Sequence, residues 1–305
     1  MATTMVWMLV AGTVGMSWLY FLRWALTRPP LGTVNLGDVV FTLTCIVALP
    51  LLYLWLPGIL VGSLLAVTTL SALWFVVEPV TALPLPRWCV AGGLVVADVA
   101  LAWTTGTAST AFLLVNSAVM VLLAIGVSNL WAQGGLRARD LAVLAGAIAL
   151  YDLVATGFLP LTTEMIDRLA GMPFLPMVAW PTGGGSGQWL GIGLGDLLMA
   201  ATSPLVMRKA FGRAAGIASM AVALVAIAGV LLVARWDALP ETFPTMIVLG
   251  PLIVLQYVVW SQRAGVERTW GRYQTEEAKS LVPVTNAQDG SLENVLSSTR
   301  LSDLL

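Results

Sequence analysis

The 305-residue chain has no histidine. That removes Ser-His-Asp triads, histidine-bearing zinc sites and axial haem ligation by histidine. There are two cysteines, Cys45 and Cys89, both at or near apolar stretches. They supply neither a disulfide framework nor a metal cluster, and they read as small buried residues. Charged residues make up only 10% of the sequence, and the formal net charge is −1. Such a chain lacks the basic footprint that binds nucleic acid. No metal and no cofactor is expected.

What the chain has is apolar length. Hydrophobic residues make up 58% of it and the mean hydropathy is +0.89, the composition of a polytopic membrane protein. About 20 apolar residues are needed to cross ~30 Å of hydrocarbon. Nine runs qualify: 5–22, 37–56, 58–77, 88–104, 109–131, 141–160, 189–207, 214–234 and 244–261. Backbone groups in lipid must find partners within the segment, so the expected fold is all-α with nine transmembrane helices. Leu56-Pro57-Gly58 makes a tight break between the second and third spans. Pro50 and Pro251 are expected to kink theirs. The first run lacks a basic flank, so Met5–Leu22 reads as a retained span rather than a signal peptide. Many of the 13 tryptophans, among them Trp131, Trp180, Trp189 and Trp260, fit an interfacial belt.

This divides the chain into a membrane domain, 1–261, and a polar tail, 262–305, expected to be disordered apart from a weak amphipathic stretch at Leu292–Leu305. Within the membrane domain, 1–140 holds spans one to five and 141–261 holds spans six to nine. Residues 161–188 form an outer loop with a mobile glycine run, Gly183-Gly184-Gly185-Ser186-Gly187. Basic residues set the orientation. With the N-terminus outside, the inner loops carry Arg23, Arg28, Arg87, Arg137, Arg139, Arg208, Lys209 and Arg213. The tail adds Arg263, Arg268, Arg272, Lys279 and Arg300, and only Arg168 and Arg235 lie outside. The positive-inside rule gives an outer N-terminus and a cytoplasmic C-terminus. In a prokaryote the location would be the plasma membrane.

Against this background two acids stand out. Asp152 lies in the run Leu141–Pro160 and Asp196 in the run Leu190–Met207. A carboxylate within a bilayer costs about 2.5–3.5 kcal/mol on insertion scales, so it marks a functional site by default. Asp152 is eight residues before Pro160, ~12 Å of helix. Asp196 is seven residues after Trp189, ~10 Å of helix. Acids at matching depth on consecutive spans can face each other and share one proton. One then activates water and the other protonates a leaving group, which is peptide hydrolysis without a metal or a covalent nucleophile. Gly193 and Gly195 leave the backbone bare beside Asp196, so an extended substrate can approach. Gly191 reads as an ordinary helix contact. Asp98 and Asn116, mid-span, read as polar packing contacts or as a proton path; Asp38, Glu78 and Asp140 fall near span ends.

Tyr151-Asp152 and Gly193-Leu194-Gly195-Asp196 resemble the YD and GxGD motifs of the presenilin and signal peptide peptidase family, the intramembrane aspartyl proteases. Nine spans is also that family's count. Its third motif, Pro-Ala-Leu, corresponds to Pro244-Thr245-Met246; the proline matches, while Thr245 and Met246 depart from it. Pro251, seven residues on, keeps the spacing of a second proline in signal peptide peptidases. Leu239-Pro240-Glu241 is a less apt placement, within a loop. The resemblance covers 141–261; spans one to five match in number only. It implies an endopeptidase with Asp152 and Asp196 as catalytic acids, and with Tyr151, Gly193, Leu194, Gly195, Pro244, Thr245 and Met246 shaping the site. Its substrates would be transmembrane segments or remnant signal peptides in type II orientation.

Other readings remain open. A prepilin-peptidase-like protease also carries GxGD, but usually followed by Lys-Leu, where this chain has Leu197-Leu198. A proton-coupled transporter or channel could use Asp98, Asp152 and Asp196 as a relay. An inactive relative could hold membrane peptides without cutting them. The need for accessory subunits stays open.

Overall fold

The computed structural model describes residues 1–26, 36–81, 83–159, 161–182, 189–236 and 243–281. The glycine run 183–187, the Leu239-Pro240-Glu241 alternative and tail residues 282–305 lie outside them. Six long helices come first: α1 (Ala2–Arg23), α2 (Leu36–Trp55), α3 (Gly58–Val77), α4 (Pro84–Thr104), α5 (Thr110–Gln133) and α6 (Ala138–Gly157). A short helix α7 (Leu161–Leu169) and a hairpin of β1 (Met177–Pro181) and β2 (Trp189–Gly193) follow. Then come α8 (Leu194–Phe211), α9 (Arg213–Ala234), α10 (Met246–Ala264) and α11 (Trp270–Leu281).

Among the described residues, eight helices, α1 to α6, α9 and α10, are long and apolar enough to cross a membrane. The chain is a multi-pass membrane protein. The expected seventh span, 189–207, needs correction. Its first five residues form β2, and the helix begins only at Leu194. The 18 residues of α8 include Asp196, Arg208 and Lys209, and this charge keeps it outside the set of eight. Arg208 and Lys209 are not loop residues either. They form the last turn of α8 and are buried.

Local signals start and stop the helices. Ser109 caps α5 by accepting from the Phe112 N–H at 3.2 Å. Pro84 opens α4, where a missing N–H costs nothing. Leu56-Pro57-Gly58 turns the chain from α2 into α3, and the Arg168 guanidinium from α7 donates to the carbonyls of Leu54 and Leu56 at that turn. The segment expected as a loop, 161–188, contains α7 and β1.

The core lies around α5 and α8. Helix α8 is buried along almost its whole length from Leu197 to Ala210 and packs on α5 and α9. A polar seam joins α1 to α5. Ser17 and Ser128 share a hydroxyl contact at 2.6 Å, and Asn129 donates to the Ser17 carbonyl at 3.2 Å. Gln133 accepts from the Leu26 N–H at 2.8 Å and donates to the Trp24 carbonyl at 3.0 Å. Between helices in lipid, where apolar contacts discriminate poorly, such bonds fix register. Outward faces carry large apolar side chains such as Phe41, Ile59 and Val225. Compact units run from Met1 to Trp270 and from Gly271 to Leu305. In the second, Arg272 and Glu276 pair at 2.9 Å one turn apart on α11, so the tail begins as helix.

Candidate active site

Asp152 stands near the end of α6 and Asp196 in the first turn of α8. The GxGD run straddles a strand-to-helix junction. Gly193 ends β2 and is the N-cap of α8; Leu194 and Gly195 open the helix; Asp196 follows. The acid sits at the head of a helix, not two turns into one. The two carboxylates lie within electrostatic reach of each other, and Tyr151 lies within reach of Asp152. Both acids are half-buried.

The start of α10 closes on Asp196. Its carboxylate accepts from the Thr245 hydroxyl and from the N–H groups of Thr245 and Met246. These N–H groups have no partner within α10, because the first turn of a helix leaves its donors free. Thr245 and Met246 are 3% and 1% exposed, so the contact is shielded from solvent. Thr245, which departs from the family pattern, thus contributes a hydroxyl that alanine would lack. The Pro244 carbonyl accepts from Ile247 at 3.2 Å and belongs to the first turn of α10.

The hairpin shapes the approach. Pairing is antiparallel, with Met177 opposite Gly193 and Ala179 opposite Gly191. Leu194 N–H donates to the Pro176 carbonyl at 2.9 Å. By the alternation of an antiparallel ladder, Leu190 and Ile192 turn their peptide groups toward β1, while Gly191 and Gly193 turn theirs away. The far edge of β1 is covered by α5. Asn116 donates to the carbonyls of Leu175 and Met177 at 2.9 and 3.0 Å. Ser117 Oγ bonds both the N–H and the carbonyl of Ala179 at 3.1 Å. No strand among the described residues covers the far edge of β2. A Cβ on Gly193 would stand 3.4 Å from Asp196 Oδ2, and one on exposed Gly195 would meet nothing within 4 Å. Gly191 is packed tightly: its Cβ would come 3.1 Å from that of Ala179 across the hairpin, not across a helix interface.

Asp98 is fully buried in α4 and holds the entry to β1. Its Oδ2 accepts from the Phe174 N–H at 2.7 Å, and Phe174 has the left-handed φ of 61°. Among polar partners this is a peg for the chain before the hairpin. Asparagine keeps an acceptor for that N–H and leucine does not. Asp98→Leu is expected to cost about 1–3 kcal/mol locally by stranding the donor, read as faster amide exchange over 174–180. Asp98→Asn should keep both the exchange pattern and any catalytic activity; its loss with asparagine would restore the proton-path reading.

Gly250 is a site-building residue that the sequence reading passed over. A Cβ there would lie 2.7 Å from the Ala145 carbonyl oxygen and 2.7 Å from the Ala149 Cβ. Its absence lets α10 lie directly on α6, one turn from Asp152. Asn116, which the sequence offered as a polar packing contact or a proton path, holds β1 together with Ser117, which the sequence reading passed over. Among the described residues no group of three or more histidine, cysteine, aspartate or glutamate residues could hold a metal ion. Two carboxylates, three donors on one of them and a strand edge that no described strand covers are together equipped to bind an extended chain and move protons at a carbonyl. Comparison with protein-family models and with curated proteins finds no match to this chain.

Proposed function

We propose that the protein is an intramembrane aspartyl endopeptidase that hydrolyses peptide bonds in transmembrane segments. The observation that carries this is that Asp152 and Asp196 lie within electrostatic reach of each other beside an edge of β2 that no described strand covers. The likeness of the motifs to those of presenilin and signal peptide peptidase supports it. So does Thr245–Met246, at the start of α10, bonding the second aspartate.

The mechanism follows from the geometry. A substrate helix satisfies its own backbone and hides its carbonyls, so it must unwind before attack. An unwound segment pairs with the edge presented by Gly191 and Gly193, which replaces its lost hydrogen bonds. That edge leads within three residues to Asp196. The pair holds one proton. The ionised carboxylate takes a proton from water as the oxygen attacks the scissile carbonyl; the protonated one stabilises the gem-diol oxygen and then passes its proton to the departing amine. Thr245 and Met246 hold Asp196 in one orientation throughout.

The test is cleavage of a reconstituted transmembrane peptide by the full chain, compared with Asp152→Asn and Asp196→Asn proteins. Peptide mimics carrying a hydroxyl at the scissile position should inhibit, because they match the tetrahedral intermediate. Proton flux by the wild type that both asparagine variants lose, without any cleavage by the wild type, would move the transporter reading to first place.

Orientation belongs to the same proposal. The basic-residue asymmetry puts the N-terminus outside and the tail in the cytoplasm. With Cys45 and Cys89 replaced by serine, a cysteine introduced by Ser291→Cys should react with a membrane-impermeant maleimide only after the cells are opened. Labelling in intact cells would reverse the orientation and remove the type II substrate preference.

A further inference from the structure

The ends of α6 and α8 farthest from the aspartates meet at one dipeptide. Fourteen residues separate Ala138 from Asp152, and fourteen separate Asp196 from Ala210, about 21 Å of helix in each case. At that distance Glu267 Oε1 accepts from the Ala138 N–H, the first of α6, at 2.5 Å. The next residue holds the last turn of α8. Arg268 donates to the Ala210 carbonyl from its backbone N–H at 3.1 Å and from Nε at 3.4 Å. It donates to the Arg208 carbonyl through its guanidinium at 2.9 Å. Gly265, with φ of 73°, ends α10 and turns the chain back to make this reach.

The charges suit their places. An acid at a helix N-terminus and a cation at a helix C-terminus each complement the helix dipole and satisfy groups with no partner inside the helix. Lys209, 1% exposed, donates to the carbonyls of Ala132 and Leu136 and lies within electrostatic reach of Glu267. Lys209 thereby fixes α8 to the end of α5 and lies within electrostatic reach of Asp140 in the first turn of α6, whereas Glu267 is hydrogen-bonded to the first N–H of that turn.

We infer that Glu267 and Arg268 are positioning residues for the aspartate pair: one dipeptide ties the first turn of α6 to the last turn of α8 and so sets the register in which Asp152 and Asp196 face each other. The inference rests on the reading of those aspartates as a catalytic pair. Adjacent residues cannot shift independently, so sliding or rotation of one helix must carry the other. A pair that has to share a proton tolerates little displacement; a misplacement of ~1 Å costs about a hundredfold in rate.

The experiment uses the full chain in proteoliposomes, with Cys45 and Cys89 replaced by serine. Spin labels go on exposed Val143 of α6 and exposed Arg213, just after α8, through Val143→Cys and Arg213→Cys. Pulsed electron resonance gives the distance distribution between them. Glu267→Ala and Arg268→Ala should broaden that distribution and lower kcat by about ten- to a hundredfold, with KM little changed. Glu267→Gln keeps an acceptor for Ala138, and Arg268→Lys keeps a cation; each should recover much of both readouts. A distribution as narrow as the wild type's in both alanine variants refutes the tie, even where Asp152→Asn abolishes cleavage and the protease reading stands. Broadening with unchanged kcat refutes the positioning role. Cleavage that survives in Asp152→Asn and Asp196→Asn refutes the pair itself, and the positioning role with it, whatever the distances do.

Discussion

Asp152→Asn and Asp196→Asn proteins are each expected to cleave a reconstituted transmembrane peptide at least about a thousandfold more slowly than the wild type. General acid–base catalysis contributes roughly 10²–10⁴-fold per group, and the two carboxylates act on the same proton. Asparagine has the shape of aspartate but cannot cycle that proton. The fold should survive, because the amide oxygen at 196 can still accept from Thr245 and Met246. Groups that work as a unit are not additive, so the double variant should be little worse than either single one. Single-turnover kinetics with a labelled peptide, beside thermal unfolding of the same preparations, separates lost chemistry from lost structure. Full hydrolysis by both variants would end the aspartyl mechanism.

The second large effect is on assembly. Gly250→Leu is expected to leave little folded protein in detergent, and Gly250→Ala to be destabilised by about 1–3 kcal/mol. The reason is contact at the α6–α10 crossing. A Cβ at 250 falls 2.7 Å from a backbone oxygen of α6, and backbone cannot swing aside as a side-chain tip can. Helix α10 must lift. Thr245 and Met246 sit one turn and a half along the same helix, so they withdraw from Asp196 as it lifts. Cleavage should therefore fall even in Gly250→Ala preparations that remain folded. Gly229→Ala on α9, where a Cβ meets nothing within 4 Å, serves as the control. It should be neutral or slightly stabilising, since alanine favours helix over glycine by about 1 kcal/mol. Equal stability and activity of the 229 and 250 alanine variants would show that close packing at Gly250 does not hold the site.

Much of the architecture is legible from hydropathy. Helices α1 to α6, α9 and α10 coincide with apolar runs to within a few residues, because a bilayer demands length and a closed backbone of every span. The two aspartates are legible for the same reason: in so apolar a chain, an acid in a long run has a cost that calls for an explanation. The motif around Asp196 could be read as residues but not as structure. Trp189-Leu190-Gly191-Ile192-Gly193 is as apolar as the helix after it, and hydropathy cannot separate a five-residue strand from a helical turn. Its pairing with Met177–Pro181 bridges a run of glycines, and Asn116, Ser117 and Asp98 come from two other helices to hold β1 and its approach. Only tertiary packing supplies such partners.

The same holds for charge. Arg208 and Lys209 count as loop cations in a positive-inside tally, yet they lie in a helix end, where buried carbonyls and Glu267 receive Lys209 and the Trp18 ring lies 4.9 Å from the Arg208 guanidinium. Composition along the chain determined that this protein inhabits a membrane and where its spans lie, because transfer free energy is summed residue by residue. Which spans touch, that Gly250 lets α10 lie against α6, and that Glu267–Arg268 joins two distant helix ends were decided by the tertiary structure, because each is a contact between residues far apart in sequence.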